Sequence, residues 1–77
     1  MKEKILEILK GLKPNVDYDK EKLLIDDGIF DSFTIISLVG EFNDEFDISI
    51  HVEDLVPENF NSVEGMQALI EKLQSIS

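Results

Sequence analysis

The chain has 77 residues, 43% of them hydrophobic, so it can form one small core but is too short for a second domain or a cleft between two lobes. It contains no cysteine, which excludes disulfides, thiol nucleophiles and cysteine-ligated zinc. Seventeen acidic residues against seven lysines give a formal charge of −10, which is the wrong sign for binding the phosphate backbone of a nucleic acid.

The first segment has the periodicity of an amphipathic helix. Its apolar residues recur at steps of three and four, which predicts a helix over about residues 2–12; they are Ile5, Ile8, Leu9 and Leu12. Pro14 ends this helix, because proline lacks an amide proton and disfavours helical geometry in the residue before it. The long loop that follows, 13–31, has hydrophobic residues that predict packing against the core: Val16, Tyr18, Leu23, Leu24 and Ile25.

A second helix is predicted over about residues 32–46. Its apolar residues fall on one face at about 100° per residue; they are Ile35, Leu38, Val39, Phe42 and Phe46. Asp31 is a good N-cap, since its carboxylate accepts hydrogen bonds from first-turn amides at the positive end of the helix dipole. Residues 48–52 alternate like a strand, but the sequence offers no partner strand, so we expect an extended connection.

A short third helix is expected at about residues 53–56, because Pro57 leaves room for only one helical turn. We expect Leu55 and Val56 from this turn to pack into the core. The last helix covers about residues 62–75, with Asn61 or Ser62 as its N-cap and Glu64 at capping-box distance from Asn61. Its apolar stripe is Val63, Met66, Leu69, Ile70 and Leu73.

Together these elements predict one domain over residues 1–77. The fold class is all-α, a small irregular four-helix bundle with three long helices and one short helix. No apolar run approaches the roughly 20 residues of a bilayer span, and the first residues lack the apolar region of a signal peptide. We therefore expect a cytoplasmic monomer that has no membrane span and binds no nucleic acid.

Charge is distributed unevenly along the chain. Six of the seven lysines lie at or before Lys22, whereas the segment from Leu23 to Glu71 has twelve acidic side chains and no lysine. An acidic field of this kind favours partners with basic docking surfaces, although acidity also serves solubility alone.

Metal and catalytic sites find no support in the sequence. An EF-hand calcium loop starting at Asp17 would need glycine where Lys22 stands and a bidentate glutamate where Gly28 stands. His51 is the only histidine, so a multi-histidine metal site cannot form, and Ser32 is not in a nucleophile elbow. We expect no metal, no catalytic residue and no enzymatic activity.

The remaining feature is the stretch from Gly28 to Phe33 at the opening of the second helix. A serine in the first turn of a helix lies beside backbone N–H groups without intrahelical partners, where an attached phosphate meets partial positive charge. Ser32 is therefore suited to hold a phosphodiester. The alternative, favoured by the local pattern alone, is that Ser32 only helps Asp31 to cap the helix.

These residues resemble the attachment motif of the acyl carrier proteins and their aminoacyl-carrying relatives, and the resemblance covers nearly the whole chain. The family's Asp-Ser-Leu motif appears as Asp31-Ser32-Phe33. The residues that follow look like the family's second helix in their spacing: Ile36, Leu38, Phe42, Glu45, Phe46 and Ile50. Segments 24–33 and 52–60 look especially like carriers of amino acids, including D-alanyl carriers.

The resemblance implies that a phosphopantetheinyl transferase attaches 4′-phosphopantetheine from coenzyme A to Ser32, with Asp31 as the flanking motif residue. Cargo then rides on the terminal thiol as a thioester, loaded by an adenylating or acyl-loading enzyme and received by downstream transferases. The chain is then a phosphoprotein and a carrier, not an enzyme. Its pathway would be fatty acid, polyketide or nonribosomal peptide biosynthesis or, for a D-alanyl carrier, cell-wall polymer modification.

Partner docking is predicted beside Ser32, on residues of the second helix that project away from its core stripe: Phe33, Ile36, Ser37 and Gly40. Phe33 serves there as a hydrophobic anchor for a partner or, equally, as a contact to the preceding loop. Gly40 costs the helix about 1 kcal/mol relative to alanine, which indicates either a close approach to the backbone or simple tolerance.

Partner choice separates this chain from the fatty-acid carriers it resembles. Thr34 and Ser37 stand where those carriers are often acidic, and the acidic residues of the second helix lie toward its far end. An aminoacyl or specialised acyl pathway is therefore favoured. The alternative from a different class is an acidic protein-interaction module that never receives a prosthetic group.

Overall fold

Helix α1 spans Lys2–Leu12 in the computed structural model, which describes residues 1–76. Ile5 and Leu9 are fully buried, and Ile8 and Leu12 pack against the core from its edge, as the spacing predicts. The last helical hydrogen bond runs from the N–H of Lys13 to the oxygen of Leu9, after which the chain turns. Ser77, the final residue of the predicted domain, lies outside the described residues.

The long loop between the first two helices packs against the core, as predicted. Tyr18, Leu24 and Phe30 are buried, whereas Leu23, which was expected to pack down, is exposed. The Tyr18 hydroxyl lies 2.7 Å from the main-chain oxygen of Lys13 and 3.2 Å from that of Leu9, which ties the loop to the end of α1.

Helix α2 spans Ser32–Phe46, and Leu38 and Phe42 are its fully buried residues. Its C-cap is Asp47, which adopts the left-handed conformation with φ of 53°. The segment after it is extended, as predicted, and the side-chain oxygen of Asn43 accepts the N–H of Ile50 at 3.0 Å. Residues 1–76 contain no β-strand.

The short third helix lies later in the chain than predicted. Instead of one helix at about residues 53–56, the structure has a 3₁₀ turn at Val52–Asp54 and a separate helix, α3, at Pro57–Phe60. Pro57 begins α3 because the missing N–H of proline is tolerated in the first turn of a helix. Phe60 is buried, but Leu55 is 41% exposed and Val56 is partly buried, so the expected core positions of Leu55 and Val56 are wrong.

Helix α4 spans Val63–Ile76, and the side chain of Ser62 caps its N-terminus. The Ser62 hydroxyl oxygen accepts the N–H of Gly65 at 3.0 Å. The capping box expected between Asn61 and Glu64 does not form. Glu64 pairs with Lys22 at 2.9 Å, and the Asn61 side chain binds the loop before α2.

The four α-helices of residues 1–76 form a small all-α bundle, as predicted. Helix α1 packs against α2 and α4, and α4 also contacts α2 and α3. The radius of gyration is 11.3 Å, and the bundle measures 33 × 24 × 19 Å. None of the helices in the described part of the chain is long and apolar enough to cross a bilayer.

Candidate functional site

The candidate site lies at the N-terminus of α2, where Asp31 caps the helix and Ser32 is its first residue. The Asp31 carboxylate oxygen Oδ1 accepts the main-chain N–H of Thr34 at 2.8 Å and the Thr34 hydroxyl at 2.9 Å. The main-chain oxygen of Asp31 accepts the N–H of Ile35 at 3.0 Å. Asp31 is therefore the N-cap that the sequence predicts.

Ser32 takes no part in this cap. Its side chain is exposed, and its hydroxyl has no hydrogen-bond partner among residues 1–76. The alternative in which Ser32 helps Asp31 to cap the helix is therefore wrong, because Thr34 supplies both donors that Asp31 binds. The hydroxyl is accessible to a modifying enzyme.

The electrostatics at this end of α2 combine a helix dipole with one carboxylate. The two hydrogen bonds from Thr34 lower the pKa of Asp31 below its ordinary value of 3.8. First-turn amides of a helix give partial positive charge, which stabilises an anion placed beside them. An anionic group attached to Ser32 would therefore meet the positive end of α2, while the Asp31 charge is held toward Thr34.

The loop before α2 forms a wall of the site. Gly28 has φ of 74°, a conformation that glycine adopts without steric cost, and the chain turns there. The N–H of Phe30 then donates to the oxygen of Leu24 at 3.0 Å, and both side chains are buried. Asp31 and Ser32 follow directly from this anchored position.

A groove of about 370 Å³ opens beside Ser32. Its lining is mostly apolar: Ile25, Phe30, Asp31, Ser32, Ile35, Ile36 and Leu55. A neighbouring recess of about 110 Å³ extends it toward α3 and shares Ile25, Ile35 and Leu55. Leu55 was expected in the core and instead lines both, because the chain after the 3₁₀ turn runs along the bundle surface.

The four residues predicted for partner docking form an exposed stripe on α2: Phe33, Ile36, Ser37 and Gly40. Phe33 is 83% exposed and Ile36 is 67% exposed, which is unusual for side chains of this size. An exposed fraction this high leaves little of the Phe33 side chain to pack against the preceding loop. A Cβ built on Gly40 would meet nothing within 4 Å beyond the backbone of its own helix, so the described chain leaves open space for a side chain there.

Two features of the site were not predicted from the sequence. Leu55 lines the groove, and Asn61 binds the loop before Ser32 from the junction of α3 and α4. No local pattern marks either residue, because both contacts join segments far apart in the chain.

His51 is exposed at the start of the 3₁₀ turn, where its N–H donates to Asp54 at 3.0 Å.

Comparisons with known proteins identify relatives by sequence. The chain is 41% identical to D-alanyl carrier proteins of Bacillus cereus strains B4264 and Q1 and of Bacillus anthracis strain CDC 684 / NRRL 3495. Each match covers 69% of this chain and 70% of the relative. No protein-family model and no solved structure matches the chain.

Proposed function

The chain belongs to the acyl and aminoacyl carrier protein family, and on that premise we propose that it is a stand-alone carrier holding 4′-phosphopantetheine on Ser32. The single observation that supports this most strongly is the state of the Ser32 hydroxyl. It is exposed, lies in the first turn of α2, and is not used by the helix cap.

The residues around Ser32 fit a phosphodiester. The N-terminal amides of α2 provide partial positive charge, and the Asp31 carboxylate is directed to Thr34. When bound, the group supplies a terminal thiol for a thioester-linked cargo, which this chain cannot supply because it has no cysteine. The proposal requires a compartment that contains coenzyme A, the cytoplasm.

The part played by this chain is presentation, not catalysis. Asp31 fixes the start of α2, so that Ser32 is held at a defined place on a rigid helix. Tethering the cargo there raises its effective concentration at the active site of any enzyme that docks on the carrier.

Docking combines an apolar anchor near Ser32 with acidic residues farther along α2. Phe33 and Ile36 fit an apolar pocket on a partner. The exposed acidic residues Glu41, Asp44 and Glu45 fit basic side chains on the same partner. Partners of this kind would be a phosphopantetheinyl transferase, an adenylating enzyme and a downstream transferase.

D-alanine is the cargo we propose, in modification of a cell-wall polymer. The support is the similarity to relatives named D-alanyl carrier proteins. Thr34 and Ser37, which stand where fatty-acid carriers are often acidic, agree with an aminoacyl cargo. Another amino acid or a specialised acyl group is the alternative.

Loading of the protein tests the proposal. The protein is incubated with coenzyme A and a phosphopantetheinyl transferase, and then with an adenylating enzyme and a panel of amino acids and fatty acids. We expect the intact mass to rise by one phosphopantetheinyl group and then by one D-alanyl residue. Ser32→Ala should gain neither, and Ser49→Ala, which changes an exposed serine outside the docking stripe, should gain both. Biological activity retained in Ser32→Ala would instead indicate an acidic interaction module.

A further inference from the structure

We infer that Asn61 is a positioning residue for the attachment site, an inference that rests on the proposed function. Asn61 lies at the junction of α3 and α4, and its hydrogen bonds to the described residues go to the loop before α2 and to Pro57, not to Ser32. It acts through the loop 24–30, which forms the surface beside Ser32 that a phosphopantetheinyl transferase must meet.

Asn61 makes four hydrogen bonds to this loop. Its side-chain oxygen accepts the N–H of Ile25 at 2.9 Å and the N–H of Asp26 at 3.1 Å. Its side-chain nitrogen donates to the Asp26 carboxylate at 3.3 Å, and its main-chain oxygen accepts the N–H of Leu24 at 2.9 Å. Three consecutive loop residues are thus held by one residue that is at least 35 positions away in the sequence.

The loop transmits this anchoring to Ser32. The oxygen of Leu24 accepts the N–H of Phe30 at 3.0 Å, and Phe30 is followed directly by Asp31 and Ser32. Ile25 and Phe30 also line the groove beside Ser32. A loop released at 24–26 would therefore change both the wall of the groove and the entry of the chain into α2.

Asn61 is well placed to serve as a fixed point. It is half-buried, its own N–H donates to the oxygen of Pro57 at 2.8 Å, and the next residue, Ser62, caps α4. The Lys22–Glu64 ion pair at 2.9 Å is exposed, and exposed ion pairs contribute little to stability. Core burial of Leu24 and Phe30 holds the two ends of the loop, and Asn61 supplies the hydrogen bonds that hold Ile25 and Asp26 between them.

Amide hydrogen exchange on the unmodified protein tests the anchoring without any partner enzyme. In Asn61→Ala, we expect the amides of Ile25 and Asp26 to exchange about tenfold faster, which corresponds to the net contribution of one hydrogen bond. Asn59→Ala is the matched control. Asn59 is also half-buried, but its side chain donates to the oxygen of Asp54 at 2.8 Å, so its loss should leave the amides of Ile25 and Asp26 unchanged.

A double variant in which the side chains of Asn61 and Asp26 are swapped separates a positioning role from a general loss of stability. Asn61→Asp alone keeps an oxygen for both amides but loses the donor to Asp26 and places two carboxylates together, so it should raise the exchange rates less than Asn61→Ala does. Combined with Asp26→Asn, it restores a donor and an acceptor in reversed order and keeps an oxygen for both amides. We expect the double variant to return the exchange rates to within about twofold of the wild type. If Asn61→Ala accelerates exchange throughout the core, the double variant shows whether Asn61 anchors the loop or only stabilises the fold. Failure of the double variant to restore protection at Ile25 and Asp26 overturns the inference.

Kinetics of phosphopantetheinyl transfer test the link to the site. With Asn61→Ala as the acceptor substrate, we expect KM to rise about fivefold to tenfold and kcat to change less than about twofold, with recovery in the double variant. If the wild-type protein is modified and Asn61→Ala has the same KM, the positioning role is overturned and the proposed function stands. If the wild-type protein is not modified at all, both are overturned.

Discussion

The carboxylate of Asp31 accepts hydrogen bonds from both the main-chain N–H and the hydroxyl of Thr34, at 2.8 and 2.9 Å. These two bonds complete the N-terminal cap of α2 without the neighbouring Ser32. Two adjacent polar residues therefore have separate roles, since Asp31 fixes the start of the helix and Ser32 faces solvent.

Acid should weaken this cap. The Thr34 hydrogen bonds lower the pKa of Asp31 in the folded protein below its ordinary value of 3.8. The unfolded chain therefore binds this proton more readily, so the stabilisation is present above the ordinary value and is lost as pH falls through the lowered pKa. Urea unfolding from pH 6 down to about pH 3 should show a smaller loss of unfolding free energy in Asp31→Asn than in the wild type. Equal pH profiles would contradict the role of this cap.

Phe33→Ala and Ile36→Ala should leave the fold intact and weaken partner binding. Both side chains are largely exposed, so each change should alter the free energy of unfolding by less than about 0.5 kcal/mol. An anchor residue at the centre of an interface commonly contributes about 2 kcal/mol or more, so the dissociation constant for the loading enzyme should rise at least about 30-fold. Titration calorimetry measures this value. Phe42→Ala is the contrasting core change, expected to cost about 3–5 kcal/mol of stability. Unchanged binding in both surface variants would remove the α2 stripe as a docking surface.

Two helical glycines should respond to alanine in opposite directions. At Gly40 the added methyl group meets nothing within 4 Å, so Gly40→Ala should stabilise the protein by about 0.5–1 kcal/mol through helix propensity. At Gly65 the Cβ would lie 2.6 Å from the main-chain oxygen of Glu58, so Gly65→Ala should destabilise it by about 1–3 kcal/mol. Thermal unfolding of the two variants checks both signs.

The same glycine pair distinguishes packing from docking. If a partner approaches the α2 backbone closely, Gly40→Ala should bind that partner more weakly although the free protein is more stable. A stabilised Gly65→Ala would show that α3 and α4 do not pack as closely as the structure places them.

Periodicity alone predicted the three long helices, because each has an apolar stripe that local spacing reveals. The bounds Lys2–Leu12 and Ser32–Phe46 agree with the expected ranges. Asp31 was recognisable as a cap because its hydrogen-bond partner lies three residues away. Local sequence therefore specified both the helix that presents Ser32 and the residue that starts it.

The segment between α2 and α4 was less predictable because a proline can either end a helix or begin one. Pro57 was interpreted as the end of a helix, and it begins one. Hydrophobicity predicts a core position for Leu55, but the side chain is 41% exposed after the 3₁₀ turn at Val52–Asp54. Asn61 could be assigned to a helix cap on local pattern, whereas its actual partners, Ile25 and Asp26, are distant in the chain. Contacts of this kind have no signature in a single sequence.

The central claim is that Ser32 is the attachment residue, and locating the modified residue tests it most directly. After incubation with coenzyme A and a phosphopantetheinyl transferase, the peptide containing Asp31–Thr34 is fragmented in a mass spectrometer. We predict the added group on Ser32, none on Thr34, and no mass gain in Ser32→Ala. A group found on another residue, or an equal mass gain in Ser32→Ala, would contradict the account.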